Sequence, residues 1–124
     1  MTTRGIEGLI IETHNFGKSV AFWNALGYEL EFETDHHSGQ LRHPSGGPYL
    51  FVVERSPADA LEMQPLVGAD DAASFAVPAS GTLDHDFEPR HWGVTEMVVL
   101  DPDGRRISVQ APLPEGVDAP ADHH

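Results

Sequence analysis

A chain of 124 residues, 40% of them hydrophobic, is long enough for one domain or for two half-domains that share a core. Its 20 acidic and 7 basic residues give a formal net charge of −13 at pH 7, which argues against nucleic acid or an anionic membrane as a partner. Cysteine is absent, no apolar run approaches a membrane helix in length, and the N-terminus lacks a signal-peptide layout, so we expect a cytoplasmic protein.

The chain begins with a predicted strand and a predicted helix. Residues 8–13 are a short apolar run typical of a strand. Asn15 is suited to cap a helix, and Gly27 is suited to end it in the left-handed conformation. Between them, apolar residues recur at helical spacing and predict one buried stripe, formed by Phe16, Val20, Phe22, Trp23 and Leu26.

Three strands are predicted to complete the first 55 residues in the order β-α-β-β-β. The first of them alternates strictly, which predicts a half-buried strand with Tyr28, Leu30 and Phe32 on one side and glutamates on the other. The turn residues from Pro44 to Pro48 end the second of these strands and separate it from the third. The predicted strands cover residues 28–33, 38–43 and 49–54.

Residues 56–112 predict the same order with a weaker helix. Residues 69–75 favour a short helix that Pro78 and Gly81 stop. Residues 82–90 are poorly patterned, so we expect a loop or an irregular strand there. Strands are predicted at residues 62–67, 94–100 and 107–111, and the last two flank the hairpin turn Asp101-Pro102-Asp103-Gly104.

The two halves together resemble the vicinal oxygen chelate superfamily, which includes glyoxalase I, extradiol dioxygenases and bleomycin-resistance proteins. The resemblance covers residues 5–112 and depends on Asn15-Phe16, Phe22 to Gly27, Asp70-Asp71, His91-Trp92-Gly93 and Asp101 to Gly104. It implies an α+β fold of two tandem β-α-β-β-β modules with cupped mixed sheets, at residues 1–55 and 56–112, in one compact domain. It also implies a homodimer. Residues 113–124 are expected to form a flexible acidic tail.

The resemblance also implies where a divalent ion would be bound in the superfamily's metal-dependent members. Those positions fall on Gly8, Phe51, Gln64 and Ser108. Only Gln64 is a plausible ligand, so we expect no metal and no other cofactor. A shift of two residues would bring in Glu12 or Glu54, and a displaced divalent site therefore remains an alternative.

The eight histidines do not by themselves predict a metal site. His36-His37, His85 with His91, and His123-His124 form the pairs, and we interpret them as solvated histidines. His91 differs, because it precedes Trp92, where the superfamily places residues at the mouth of its cavity.

If Ser108 faces the cavity that the resemblance implies, period-two alternation places Arg106 and Gln110 on the same face. We interpret this cavity as an aromatic, hydrogen-bonding pocket for a small molecule. Its expected lining is Tyr49, Phe51, Gln64, His91, Trp92, Glu96, Ser108 and Gln110. No catalytic residue is assigned, although acid–base work by Glu96 with His91 remains open.

The first functional hypothesis is metal-independent binding of a cationic or aromatic ligand, resembling antibiotic-sequestering resistance proteins. The alternatives are a metal-dependent lyase, isomerase or dioxygenase with displaced ligands, a metal-independent enzyme, and a dimer with an eroded site. Fold alone does not choose among them.

Overall fold

A computed structural model describes residues 3–120. Residues 7–64 form one compact unit, here called the N-terminal unit, and residues 3–6 with 65–120 form the C-terminal unit. The elements are β1 (Ile6–Thr13), α1 (Phe16–Ala25), β2 (Glu29–Glu33), β3 (Ser38–Arg42), β4 (Tyr49–Glu54), β5 (Met63–Gly68), a 3₁₀ turn (Ala72–Ser74), β6 (Thr82–Pro89), β7 (Val94–Leu100) and β8 (Arg106–Pro112).

The N-terminal unit packs its helix on one face of four strands in the order β2-β3-β4-β1. Strands β1 and β4 are parallel, whereas β3 is antiparallel to both of its neighbours. The helix and the strands share a core of Phe16, Leu41, Leu50 and Val52, each at most 7% exposed. Burial of each such apolar side chain stabilises the folded state by roughly 1.5–3 kcal/mol.

Both ends of the helix are as predicted. The Asn15 side-chain oxygen accepts a hydrogen bond from the Lys18 backbone N–H at 2.9 Å, and Gly27 follows the helix with a φ of 98°. The predicted buried stripe is too wide, however, because Phe22 is 60% and Leu26 53% exposed. The side of the helix that carries Phe16, Val20 and Trp23 packs against the core residues of β3 and β4.

Strand β2 does not have the predicted single apolar face. Its five residues are all exposed, and the register shifts between Leu30, opposite Leu41, and Phe32, opposite Gln40. Such a bulge inserts one extra residue and breaks the period-two alternation. Leu30 therefore lies on the face of Leu41, whereas Phe32 lies on the opposite face.

The C-terminal unit repeats the strand arrangement in the order β5-β8-β7-β6, with β5 and β8 parallel. The predicted second helix is reduced to the 3₁₀ turn, capped by Asp71, whose side chain accepts from the Ala73 N–H at 3.1 Å. Residues 82–90 form an irregular strand, since β6 has two register shifts against β7. The core contains Ala69, Met97, Val99, Val109 and Ala111.

The Asp101–Gly104 turn joins β7 to β8 as predicted. The Asp101 carboxylate accepts hydrogen bonds from the backbone N–H groups of Asp103 and Arg105 at 2.9 and 2.8 Å, and Gly104 has a φ of 85°. The Arg105 backbone N–H and side chain hold the pKa of Asp101 below its ordinary value. These hydrogen bonds therefore favour the ionised form of Asp101.

The α+β class and the short second helical element are confirmed. Residues 113–120 contain no helix or strand, and the flexibility of this tail stays a prediction. His123 and His124 lie outside the described residues. Within residues 3–120, no helix is long and apolar enough to cross a membrane.

Candidate functional site

Three of the predicted site residues meet on the face of the C-terminal unit that points away from its core. Glu96 pairs with Gln110, and Ser108 with Val98, across β7 and β8. The Ser108 hydroxyl donates to one oxygen of the Glu96 carboxylate, and the Gln110 amide lies 3.4 Å from the same oxygen. Arg90 Nε donates to the other oxygen at 3.0 Å. We call these four residues the Glu96 cluster.

The Glu96 cluster is a partnered buried charge. Glu96 is 7% and Ser108 0% exposed, and a carboxylate removed from water in this way needs several hydrogen-bond donors. Its three partners supply them, so Ser108 positions the carboxylate and is too buried to act as an accessible nucleophile.

Sequence patterns did not indicate Arg90, because it ends the poorly patterned segment 82–90. Its charge could have indicated an ion pair, because Arg90 is one of only 7 basic residues in a chain with 20 acidic ones and lies close in sequence to Glu96. Its backbone N–H donates to the Val94 carbonyl, which fixes it at the base of the β6–β7 turn.

His91 and Trp92 lie on that β6–β7 turn. The turn is closed by the hydrogen bond from Gly93 N–H to the Arg90 carbonyl, and Gly93 has a φ of 93°. The two rings meet edge to face with centroids 4.9 Å apart, and Trp92 is 52% exposed. Trp92 is therefore an exposed aromatic surface rather than a core residue.

The other two predicted aromatic residues lie in the N-terminal unit, on the face that its helix leaves uncovered. Tyr49 and Phe51 alternate along β4 with the core residues Leu50 and Val52, so their rings point away from the helix. Phe32 joins them through the β2 bulge, with its ring centroid 6.4 Å from that of Phe51. We call Phe32, Tyr49 and Phe51 the aromatic face.

Tyr49 occupies the space that any side chain at position 8 would need. A Cβ atom on Gly8 would lie 2.5 Å from two carbon atoms of the Tyr49 ring, which is far inside van der Waals contact. The two residues are direct partners between the parallel strands β1 and β4. Gly8 thus permits the ring to cross the strand, and a larger residue there would displace it.

A charged pair borders the aromatic face. Arg42 places its guanidinium carbon 5.5 Å from the Tyr49 ring centroid, and its Nε contacts the Glu31 carboxylate at 3.2 Å. Gln40 donates to the same carboxylate at 2.9 Å. The Gln40 hydrogen bond, with the Arg42 charge, lowers the pKa of Glu31, so this carboxylate is ionised at neutral pH.

The residues at the four expected metal positions do not fit a divalent ion. Gly8 and Phe51 offer no donor atom, and the Ser108 hydroxyl is directed at Glu96. Gln64 lies in β5 and is partly buried. Within residues 3–120, no group of three or more histidine, aspartate or glutamate side chains is arranged to hold a metal ion.

The displaced alternatives have structural partners. Glu12 accepts from the Glu62 backbone N–H at 2.9 Å and from Arg55 Nε at 2.8 Å. Glu54 accepts from the Phe16 backbone N–H at 2.9 Å, at the first turn of the helix. Each carboxylate therefore already satisfies a backbone donor of its own unit.

The described histidine pairs are exposed. His36 and His37 occupy the turn between β2 and β3, and His37 has a φ of 55°. His85 lies on β6, with its Nδ1 2.8 Å from the Asp84 carboxylate. His91 lies in the turn between β6 and β7. All four histidines are therefore exposed, and their interpretation as solvated side chains stays a prediction.

Comparisons with known proteins identify the fold. No protein-family model matches the chain, and no curated protein matches it. A glyoxalase/bleomycin resistance protein/dioxygenase superfamily member from Vibrio splendidus 12B01 is similar in structure, with a TM-score of 0.67, 15% identity and coverage of 84% of this chain and 96% of that one.

Two further solved structures carry different functional names. A halotolerant catechol dioxygenase matches with a TM-score of 0.62 and 14% identity over 93% of this chain, which spans 42% of that protein. A protein described as an NAD-dependent benzaldehyde dehydrogenase from Legionella pneumophila matches with a TM-score of 0.59 and 13% identity, over 85% and 97% of the two chains. Such low identities define architecture and not activity. The chain has the vicinal oxygen chelate fold of the glyoxalase, bleomycin-resistance and dioxygenase proteins.

Proposed function

We propose that this protein binds a small, planar, cationic or aromatic ligand without a metal ion. The observation that carries the proposal is the aromatic face, on which Phe32, Tyr49 and Phe51 project from the sheet on the side opposite the helix. Phe32 is 49% exposed, and the other two rings are partly exposed. Flat aromatic surface of this kind stacks on planar rings and attracts cations.

Charge supports a cationic ligand. The net charge of −13 concentrates cations near the protein, and Glu31 is an ionised carboxylate beside the aromatic face. The Arg42 guanidinium already lies over the Tyr49 ring. A ligand cation would either displace it from this ring or stack on the neighbouring rings.

Metal independence is supported by the packing at Gly8. In place of a ligating side chain, the strand carries a glycine covered by the Tyr49 ring. Stacking requires no Lewis acid, so the aromatic face is sufficient for binding by itself.

Elemental analysis tests whether the protein binds a metal ion. The sample is protein that ends at Pro112 and was purified without a nickel column. We expect no stoichiometric metal and no change in melting temperature with added Zn²⁺, Mn²⁺ or Fe²⁺. Retention of about one ion per chain would instead favour the metal-dependent enzyme, and Glu12, Glu54, Gln64 and His91 would then be replaced first.

Ligand binding is tested with a panel that contains bleomycin and acriflavine as cationic compounds, with neutral and anionic planar compounds of similar size. We expect saturable binding of cationic members, weakened about tenfold by Phe51→Ala, since one cation–π or stacking contact is worth about 1 kcal/mol or more. Phe22→Ala is the matched control, because Phe22 is an exposed ring on the helix. Equal losses in both variants would contradict the proposal.

Trp92→Ala extends the test to the C-terminal unit. Because Trp92 is 52% exposed, its removal should leave the melting temperature within about 2 °C of the wild type. If Trp92 belongs to the ligand site, affinity falls severalfold. An equal affinity would remove Trp92 from the site, and a large fall in melting temperature would assign it a structural role.

We also infer that the protein is a cytoplasmic homodimer that sequesters its ligand and thereby confers antibiotic resistance. Sedimentation at several protein concentrations tests the dimer, and growth of an expressing strain on the bound compound tests resistance. A monomer at all concentrations, or a ligand that confers no protection, would contradict these two statements.

A further inference from the structure

The C-terminal unit contains an apolar cavity that is open to solvent on one side and lies on the core side of the sheet, away from the Glu96 cluster. Its volume is about 260 Å³. The floor is the sheet, where Val67, Val109, Val99 and Ile107 share one face of β5, β8 and β7. Phe75 and Pro78, from the segment between the 3₁₀ turn and β6, also line it.

The cavity follows from the reduced second helix. The 3₁₀ turn ends at Ser74, and Pro78 and Gly81 keep the following segment from continuing as a helix. In the N-terminal unit a ten-residue helix fills the equivalent side of the sheet with Phe16, Val20 and Trp23. In the C-terminal unit the sheet also has four strands, but a 3₁₀ turn and the segment between it and β6 take the place of the helix on this face. Space is therefore left beside Phe75.

The cavity walls are almost entirely carbon. Among the described lining residues, the polar side chains belong to Thr3, Ser80 and Asp101. The Asp101 oxygens are engaged by the backbone N–H groups of Asp103 and Arg105 and by the Arg105 guanidinium. Ordered water needs two to four polar partners, so walls of valine, isoleucine and phenylalanine hold water poorly.

The geometry points to this cavity as a second binding site, for an uncharged aromatic molecule of one or two fused rings. An enclosed apolar cavity of about 150 Å³ is sufficient for benzene, and a partly open one also removes apolar ring surface from water. The larger volume here accommodates a bicyclic ring such as naphthalene or indole. The negative charge of Asp101 at the lining, and of the whole chain, disfavours carboxylate-bearing rings.

The test is calorimetric titration of the full chain with benzene, indole and naphthalene, with benzoate and 2-naphthoate as charged counterparts. We expect saturable binding of one indole or naphthalene per chain, a ligand-dependent rise in melting temperature, and at least tenfold weaker binding of the carboxylates. Absence of saturable binding by all three neutral probes would overturn the proposal.

Variants locate the binding. Ile107→Phe and the milder Val67→Leu place extra carbon in the cavity and should weaken indole binding at least tenfold, whereas Leu61→Phe adds similar bulk at an exposed position of the N-terminal unit and should not. Phe75→Ala enlarges the cavity and should shift preference towards naphthalene over benzene. If Ile107→Phe does not fold, Val67→Leu and Phe75→Ala decide the question. Unchanged indole affinity in the filled variants would overturn the proposal.

Discussion

The two units have the same strand order and pairing, but different elements pack on one face of each sheet and different side chains occupy the other face. In the N-terminal unit a capped helix buries the sheet face around Leu41 and Val52, and aromatic side chains occupy the other face. In the C-terminal unit a 3₁₀ turn and the segment after it leave a cavity beside Val67 and Ile107, and the other face holds the buried Glu96 cluster. Strand topology thus constrains neither how well one face is covered nor which side chains occupy the other.

The comparison predicts that truncating a valine costs more in the core of the N-terminal unit than at the cavity of the C-terminal unit. Val52 is 0% exposed, whereas Val67, which lines the cavity, is only partly buried. We expect Val52→Ala to lower the free energy of unfolding by about 2–3 kcal/mol, from lost burial and a new cavity. Val67→Ala should cost about 1–2 kcal/mol, because part of its side chain borders the cavity and loses fewer packing contacts. Urea unfolding measures both, and an equal or reversed order would remove the packing difference.

Glu96 tests the face of the C-terminal unit that lies opposite its apolar core. Glu96→Ala leaves the donors of Ser108 and Arg90 without a carboxylate, at an expected cost of about 1–2 kcal/mol. The cost is below that of a fully buried pair because the Arg90 side chain is 27% exposed. Glu88→Ala is the control, since Glu88 lies 3.9 Å from Arg90 and its side chain is 63% exposed. Similar small effects in both variants would show that burial of Glu96 contributes little.

The helix of the N-terminal unit and the 3₁₀ turn of the C-terminal unit also differ in how much stability their capping residues contribute. Asn15→Ala should cost about 1 kcal/mol, since it removes the acceptor for Lys18 N–H at the start of the helix. Asp71→Ala removes the equivalent bond of the 3₁₀ turn and should cost only a few tenths of a kcal/mol, because one short turn depends on it. Thermal unfolding separates these values. A larger loss at Asp71 would mean that the 3₁₀ turn organises more of the C-terminal unit than its length indicates.

The smallest expected effect is a pH dependence that each unit shows through one carboxyl group. Glu31 and Asp101 have pKa values lowered from their ordinary 4.5 and 3.8, by Gln40 with Arg42 and by Arg105 respectively. A lowered folded-state pKa means that the unfolded chain binds its proton first. The contribution is present above these ordinary values and is lost as the pH falls through the lower folded values.

Replacement of each carboxyl group tests this dependence. Glu31→Gln and Asp101→Asn should each reduce the difference in unfolding midpoint between pH 5 and pH 3. Glu29→Gln, on the same exposed strand, is a control for the charge change alone. If it reduces the difference equally, the general negative charge and not the specific hydrogen bonds governs acid stability.

Local sequence was sufficient wherever backbone chemistry decides structure. The Asn15 cap, the positive φ of Gly27 and the Asp101–Gly104 turn follow from side-chain donors and steric freedom within a few residues. Alternation around Ser108 also placed Gln110 on its face, and Glu96 lies there because it is the cross-strand partner of Gln110. The α+β fold was implied by the family resemblance that several of these local features carry.

Only the tertiary structure decided which apolar residues are buried and which polar ones are paired. The bulge in β2, which separates Leu30 from Phe32, depends on pairing with β3 and leaves no mark in the alternating sequence. Tyr49 crosses to Gly8 from a strand forty residues away, and Arg90 reaches Glu96 from an unpatterned segment. The sequence determined the elements, because their causes are local, whereas the register of distant strands determined what their faces present.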